Sequence, residues 1–165
     1  MKLALISASW HLDLVNVSKS SCVQELSANK IDIGTAVDDF NVPGSLEIPL
    51  FALKLAQTRR YSGIIAFGLI VDGGIYRHEF VGQAVIDGIM RVQLDTGVPI
   101  FSCVLTPQRF HEHEDHIKFF KDHLVQKGRE VAKTCITFLN AVSLIEPQEA
   151  KPNHTLLFRP NTMIG

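Results

Sequence analysis

Residues 61–105 read YSGIIAFGLIVDGGIYRHEFVGQAVIDGIMRVQLDTGVPIFSCVL. The stretch 61–71 is apolar and β-branched almost throughout, which suits a strand covered on both faces. Asp72-Gly73-Gly74 breaks it. From about 79 to 96 the period changes: Phe80, Val81, Ala84, Val85, Ile89 and Val92 share one helical face, and Gly97 and Pro99 mark the end. A second short apolar run, 98–105, closes at Thr106-Pro107. Strand, helix and strand at this spacing make a βαβ unit, and such units build parallel sheets with helices on both faces.

Working outward, residues 2–8 read as a first core strand, and 11–28 as a helix with Leu12, Val15, Cys22, Val23 and Leu26 at near-helical spacing. Residues 31–40 read as a weaker strand, placed at an edge by Asp38 and Asp39. Val42-Pro43-Gly44 is a turn, after which Ser45 would cap a helix over 46–58 with Pro49 in its first turn. Residues 110–127 read as a polar helix that Gly128 breaks or kinks. A further helix over 130–145 shows the apolar stripe Val131, Cys135, Phe138, Val142 and Ile145. The expectation is one α/β domain over 1–145, with a parallel, roughly four-stranded sheet. Three prolines after residue 146 leave 146–165 as a tail.

Composition narrows the function classes. With 46% hydrophobic and 20% charged residues, the 165-residue chain has an ordinary globular balance. A formal charge of −1 speaks against a nucleic-acid partner or an anionic membrane surface, both of which need a basic surplus. The longest apolar stretch, 64–71, is far below the ~18 residues that cross a bilayer. The apolar run near Met1 is also shorter than the ~7–15 of a secretory h-region. A soluble, cytoplasmic protein is expected. Cys22, Cys103 and Cys135 are odd in number and widely spaced, which predicts reduced, buried thiols and no disulfide framework.

In an open parallel sheet, ligands bind beyond the carboxyl ends of the strands. Here those ends are residues 7–11, 40–47, 69–78 and 102–107, expected on one rim. Trp10, the only tryptophan, would offer a flat face to a heteroaromatic ring there, or else lie in the core. Ser45, Leu46 and Glu47 open a helix, where backbone N–H groups and a carboxylate point outward together. Asp72-Gly73-Gly74 lets backbone approach a phosphate closely, although it is no P-loop. Arg77 suits a phosphate and His78 proton transfer, and the plain alternative for the pair is a solvated helix start. Residues 111–116, HEHEDH, suggest metal ligands, but only His113 and His116 share a helical face, so no metal site is expected.

Val42-Pro43-Gly44-Ser45-Leu46-Glu47-Ile48-Pro49 closely resembles the VPGAxEIP signature of lumazine synthases. Residues 69–81, LIVDGGIYRHEFV, resemble that family's phosphate and proton-transfer segment, Trp10 its stacking aromatic, and Lys127-Gly128 its late Lys-Gly. The resemblance spans about 2–145 in order. It implies a flavodoxin-like αβα sandwich with strand order 2-1-3-4, no cofactor, and condensation of 5-amino-6-(D-ribitylamino)uracil with 3,4-dihydroxy-2-butanone 4-phosphate on the way to riboflavin. It also implies a pentamer with each site between two neighbours, either stacked as a decamer or closed into a shell.

By position, Trp10 would stack on the pyrimidinedione, Ser45 and Leu46 would offer backbone groups, and Glu47 would hold ribityl hydroxyls. Leu69, Ile70 and Val71 would line the ring edge, and Gly73, Gly74 and Ile75 would give N–H groups to the phosphate. Ser102, His116 and Lys127 would reach in from a neighbour. The chain departs from the commoner pattern: an ungapped match puts Arg77 on the catalytic histidine, with His78 one place later. That Ile-Tyr-Arg-His resembles the divergent second type of the family, found in rhizobia and their relatives and associated with decamers. The usual phosphate-binding arginine has no direct counterpart, and His116 is the nearest candidate. The departure leaves room for a non-catalytic flavin or lumazine carrier, and the histidine cluster for a metal hydrolase.

Overall fold

In the computed structural model, which describes residues 1–75, 77–107 and 114–145 (the side chains of 114–119 excepted), the elements alternate strand and helix. They are β1 (Leu3–Ala8), α1 (Leu12–Ala28), α2 (Ile33–Ala36), β2 (Val37–Val42), a 3₁₀ turn at Ser45–Glu47, α3 (Ile48–Gln57), β3 (Gly63–Leu69), α4 (His78–Thr96), β4 (Ile100–Leu105) and α5 (Glu114–Ile145). The four strands form one parallel sheet in the order β2-β1-β3-β4.

Side-chain alternation along β1 assigns the helices to layers. Ala4, Ile6 and Ala8 pack with Ile48 and Ala52 of α3 and with Val85 and Ile89 of α4. Leu3 and Leu5, on the opposite face, pack with Leu14, Val15 and Cys22 of α1 and with Val131, Ala132 and Cys135 of α5. β1 and β3 lie inside the sheet and are buried at every position, as their unbroken apolar runs require. The result is the expected flavodoxin-like αβα sandwich. Among the described residues no helix is long and apolar enough to cross a membrane.

Several local expectations need correction. Residues 31–40 are not one strand. Asp32 caps a short helical turn by accepting from the Gly34 N–H at 3.0 Å and the Thr35 hydroxyl at 2.8 Å, and β2 starts only at Val37. Ser45 does not cap a helix over 46–58: it opens the 3₁₀ turn, and α3 begins at Ile48 with Pro49 in its first turn. Gly128 does not break the chain into two helices, because α5 runs through it. A Cβ at Gly128 would collide with the Ser18 carbonyl oxygen, so glycine here permits close contact between α1 and α5. Ser21 supports that contact by donating to the Val125 carbonyl at 2.6 Å.

Both apolar helix stripes are only partly absorbed by the chain. On α4, Val85, Ile89 and Val92 are buried but Phe80 and Ala84 are exposed. On α5, Val131 and Cys135 are buried, whereas Phe138 and Ile145 are exposed. The expected tail, 146–165, lies outside the described residues.

Candidate active site

Parallel register aligns the carboxyl ends of the strands. Ala8 pairs with Val42, Ser7 with Phe67, and Leu69 with Leu105, so the segments after the four strands share one rim. Trp10 stands on this rim and is 68% exposed, so it is not a core residue of the chain. It follows Ser9, whose N–H and hydroxyl both donate to the Val42 carbonyl, at 2.9 and 2.8 Å. It precedes His11, which adopts left-handed backbone (φ 53°) and opens α1 by accepting from the Leu14 and Val15 N–H groups.

On the other side of that clamp, Pro43-Gly44 leads into Ser45, Leu46 and Glu47. Leu46 and Glu47 are exposed, and the Glu47 carboxylate folds back over Gly44. The Ser45 hydroxyl rests against Gly68 of β3, where any side chain would displace it.

Beyond β3, Leu69 and Ile70 are buried in opposite cores, so what they can present to a ligand is backbone. The Ile70 N–H is taken by the Leu105 carbonyl at 2.9 Å. Val71 packs partly against the α1 side. Gly73, Gly74 and Ile75 are exposed, and Gly74 takes a positive φ of 73°. The Asp72 carboxylate accepts from the Gly74 N–H at 2.9 Å, so an incoming phosphate would have to compete for that amide. Arg77 caps the start of α4 by backbone, and its exposed guanidinium lies 5.6 Å from the centre of the Phe80 ring. The His78 side chain is only 13% exposed, with Nδ1 3.6 Å from a Glu79 carboxylate oxygen.

Ser102 and Lys127 do not join that cluster within the chain. They line a groove of about 350 Å³ between β4 and α5, together with Ile100, Glu130, Val131 and Thr134. Lys127 Nζ donates to Glu130 at 2.7 Å, and this bond, helped by one from Gln126, holds the Glu130 carboxyl below its usual range. β4 is the sheet edge opposite β2, about 14 Å away at ordinary strand spacing. His116 belongs to the first turn of α5, but its side chain, like His111 and His113, lies outside the described residues.

A larger groove, about 760 Å³, opens at the amino ends of the strands between Tyr61, Leu94, Pro99 and Phe138. It holds none of the candidate site residues. The three cysteines are buried and unbridged. Burial pushes the Cys103 thiol up to about 11 and that of Cys135 up to about 12, and Cys22 higher still, so none supplies a thiolate at neutral pH.

Sequence reasoning missed Ser9, Gly68 and Glu130 as parts of these arrangements. A serine after a strand, a glycine inside one and a glutamate on a helix carry no periodic or motif signal. Only the i,i+3 spacing of Lys127 and Glu130 was there to be read.

A parallel αβα sandwich whose strand ends gather an exposed aromatic, a glycine-rich turn and an Arg-His pair belongs to the class of open α/β proteins that bind ligands beyond the carboxyl ends of their strands. Residues 1–143 match the family model described as 6,7-dimethyl-8-ribityllumazine synthase. The 6,7-dimethyl-8-ribityllumazine synthase of Rhodococcus erythropolis is 53% identical over 135 residues, covering 80% of this chain and 84% of that one. 6,7-Dimethyl-8-ribityllumazine synthase 2 of Bradyrhizobium diazoefficiens is 50% identical over 149 residues (90% and 88% covered). The protein of the same name from Pseudomonas syringae pv. tomato is 49% identical over 150 (91% and 88%). The chain belongs to the 6,7-dimethyl-8-ribityllumazine synthase family. It is a transferase of riboflavin biosynthesis, and the numeral 2 of two of these relatives agrees with its resemblance to the second type.

Proposed function

We propose that the catalytic centre forms between two copies of this chain, the strand-end rim of one facing the β4–α5 groove of the next. There 5-amino-6-(D-ribitylamino)uracil condenses with 3,4-dihydroxy-2-butanone 4-phosphate. The observation that carries this reading is that Ser102 and Lys127 line a groove between β4 and α5 whose walls include neither Trp10 nor Ser45–Glu47. The exposed apolar residues Trp10, Leu46, Ile75 and Phe80 support it, because they leave a rim suited to cover by a neighbour. Repeated head to tail with a closing rotation, such a contact builds a ring. We read that ring as a pentamer, with two pentamers stacked as a decamer, in keeping with the resemblance to the family and its second type.

The roles follow from residue chemistry. Trp10 stacks on the pyrimidinedione, Glu47 holds ribityl hydroxyls, and Ser45, Leu46 and the backbone of 69–71 line the ring edge. Gly73 to Ile75 and Arg77 receive the phosphate, with His116, Ser102 and Lys127 supplied by the neighbour. The primary amine attacks the ketone and loses water to give a Schiff base. Phosphate is then eliminated, and attack of the ribityl-bearing nitrogen closes the ring with loss of a second water. Both substrates are intrinsically reactive, so holding them together supplies much of the rate. Arg77 and His78 assist by stabilising charge and moving protons. The family chemistry calls for no cofactor, and the setting is the cytoplasm.

The test is the appearance of fluorescent lumazine from the two substrates, with phosphate released in equal amount. Turnover that requires both substrates supports the reading. Tight lumazine binding without turnover would instead establish a carrier.

A further inference from the structure

We infer that Ser9 is a positioning residue for the pyrimidine substrate: it acts through Trp10 by fastening the β1–α1 turn to the end of β2. The inference rests on the reading of Trp10 as the stacking residue. The Ser9 N–H and hydroxyl converge on one acceptor, the Val42 carbonyl, at 2.9 and 2.8 Å. Val42 is the last residue of β2 and stands directly before Pro43-Gly44-Ser45-Leu46-Glu47. The clamp therefore joins the backbone that carries Trp10 to the backbone that carries Glu47. These are the two side chains that must agree on the position of one ligand, the first on its ring and the second on its ribityl chain.

The other side of Trp10 is also constrained. His11 sits in left-handed backbone (φ 53°, ψ 41°), a conformation that costs a non-glycine residue energy and persists only where its surroundings enforce it. Its carbonyl is held in the first turn of α1 by Leu14 and Val15. Trp10 is thus bracketed by two fixed residues while its own side chain stays 68% exposed. An exposed indole on a loose turn would lose rotational freedom on stacking, and a preset turn reduces that loss. Ser9 itself is exposed, so its hydroxyl does little for the core and its removal should leave the fold intact.

The experiment uses Ser9→Ala and Ser9→Thr in the full chain, with Trp10→Ala as reference. Trp10 is the only tryptophan, so its fluorescence anisotropy reports the turn directly. In Ser9→Ala the anisotropy should fall, and KM for the pyrimidine substrate should rise about three- to tenfold, the scale of one lost hydrogen bond, with kcat little changed. Ser9→Thr, which keeps the hydroxyl, should restore both, and thermal unfolding should be unchanged throughout. If Trp10→Ala raises KM but Ser9→Ala leaves anisotropy and KM as in the parent, the positioning role is overturned and the stacking reading stands. If Trp10→Ala leaves KM unchanged, the stacking reading fails and takes the role of Ser9 with it, whatever the anisotropy shows.

Discussion

Gly128 of α5 lies against the carbonyl oxygen of Ser18 in α1, with no room for a side chain between them. Gly128→Ala must therefore push the two helices apart or distort one of them. Overpacking of this kind costs ~1–3 kcal/mol. Chemical denaturation should show the loss as a lower midpoint with an unchanged slope. Because Lys127 is the adjacent residue, activity should fall as well.

Trp10→Ala should weaken binding of the lumazine product by ~1–3 kcal/mol, the scale of stacking one base on an aromatic side chain. Trp10 is exposed at the rim, so the variant should unfold at the parent temperature. A titration and a thermal scan on the same sample check both halves.

Arg77→Ala should harm turnover at least as much as His78→Ala. The Arg77 guanidinium is exposed and permanently charged, while the His78 imidazole is largely covered and faces Glu79. Neither change should abolish activity, and a loss of ~10²-fold is the scale for one acid-base group. Rate profiles across neutral pH decide the ranking. A titration that disappears only in His78→Ala, with Arg77→Ala near the parent, would make His78 the proton-transfer residue.

The strands and the rim were legible in the sequence because continuous apolar runs identify buried parallel strands and glycine-rich breaks mark carboxyl ends, whereas the order 2-1-3-4 followed only from the family resemblance. Residues 31–36 were not, since Asp32 stabilises a helical turn through side-chain bonds that hydrophobic periodicity does not register. Gly128 misled because its helix penalty is visible in sequence, whereas the neighbouring helix that requires it is not. At the site, Trp10, Glu47 and Lys127 carried recognisable motifs. The Ser9–Val42 clamp is a contact between residues 33 apart and exists only in the fold.

Asp38 predicts an acid limit to stability. Its carboxyl is held below the ordinary aspartate value of 3.8 by the Tyr61 hydroxyl at 2.7 Å and then by Lys2 at 2.9 Å. A carboxyl lowered in the folded state contributes stability that is complete above its unfolded value and is lost as pH falls through the folded value. The contribution is thus present at neutral pH and disappears below about 3.8. Asp38→Asn should flatten that part of the stability profile, as read by denaturation at stepped pH.

The shared site is tested most directly by subunit complementation. Trp10→Ala and Lys127→Ala are prepared alone and co-expressed as mixed oligomers, with light scattering confirming assembly. If each site takes Trp10 from one copy and Lys127 from the next, random mixing leaves roughly a quarter of the sites with both parent residues. With a shared site, the mixed oligomer should regain activity well above either variant alone. Activity no higher than the average of the two variants, or a protein that stays monomeric at micromolar concentration, would contradict it.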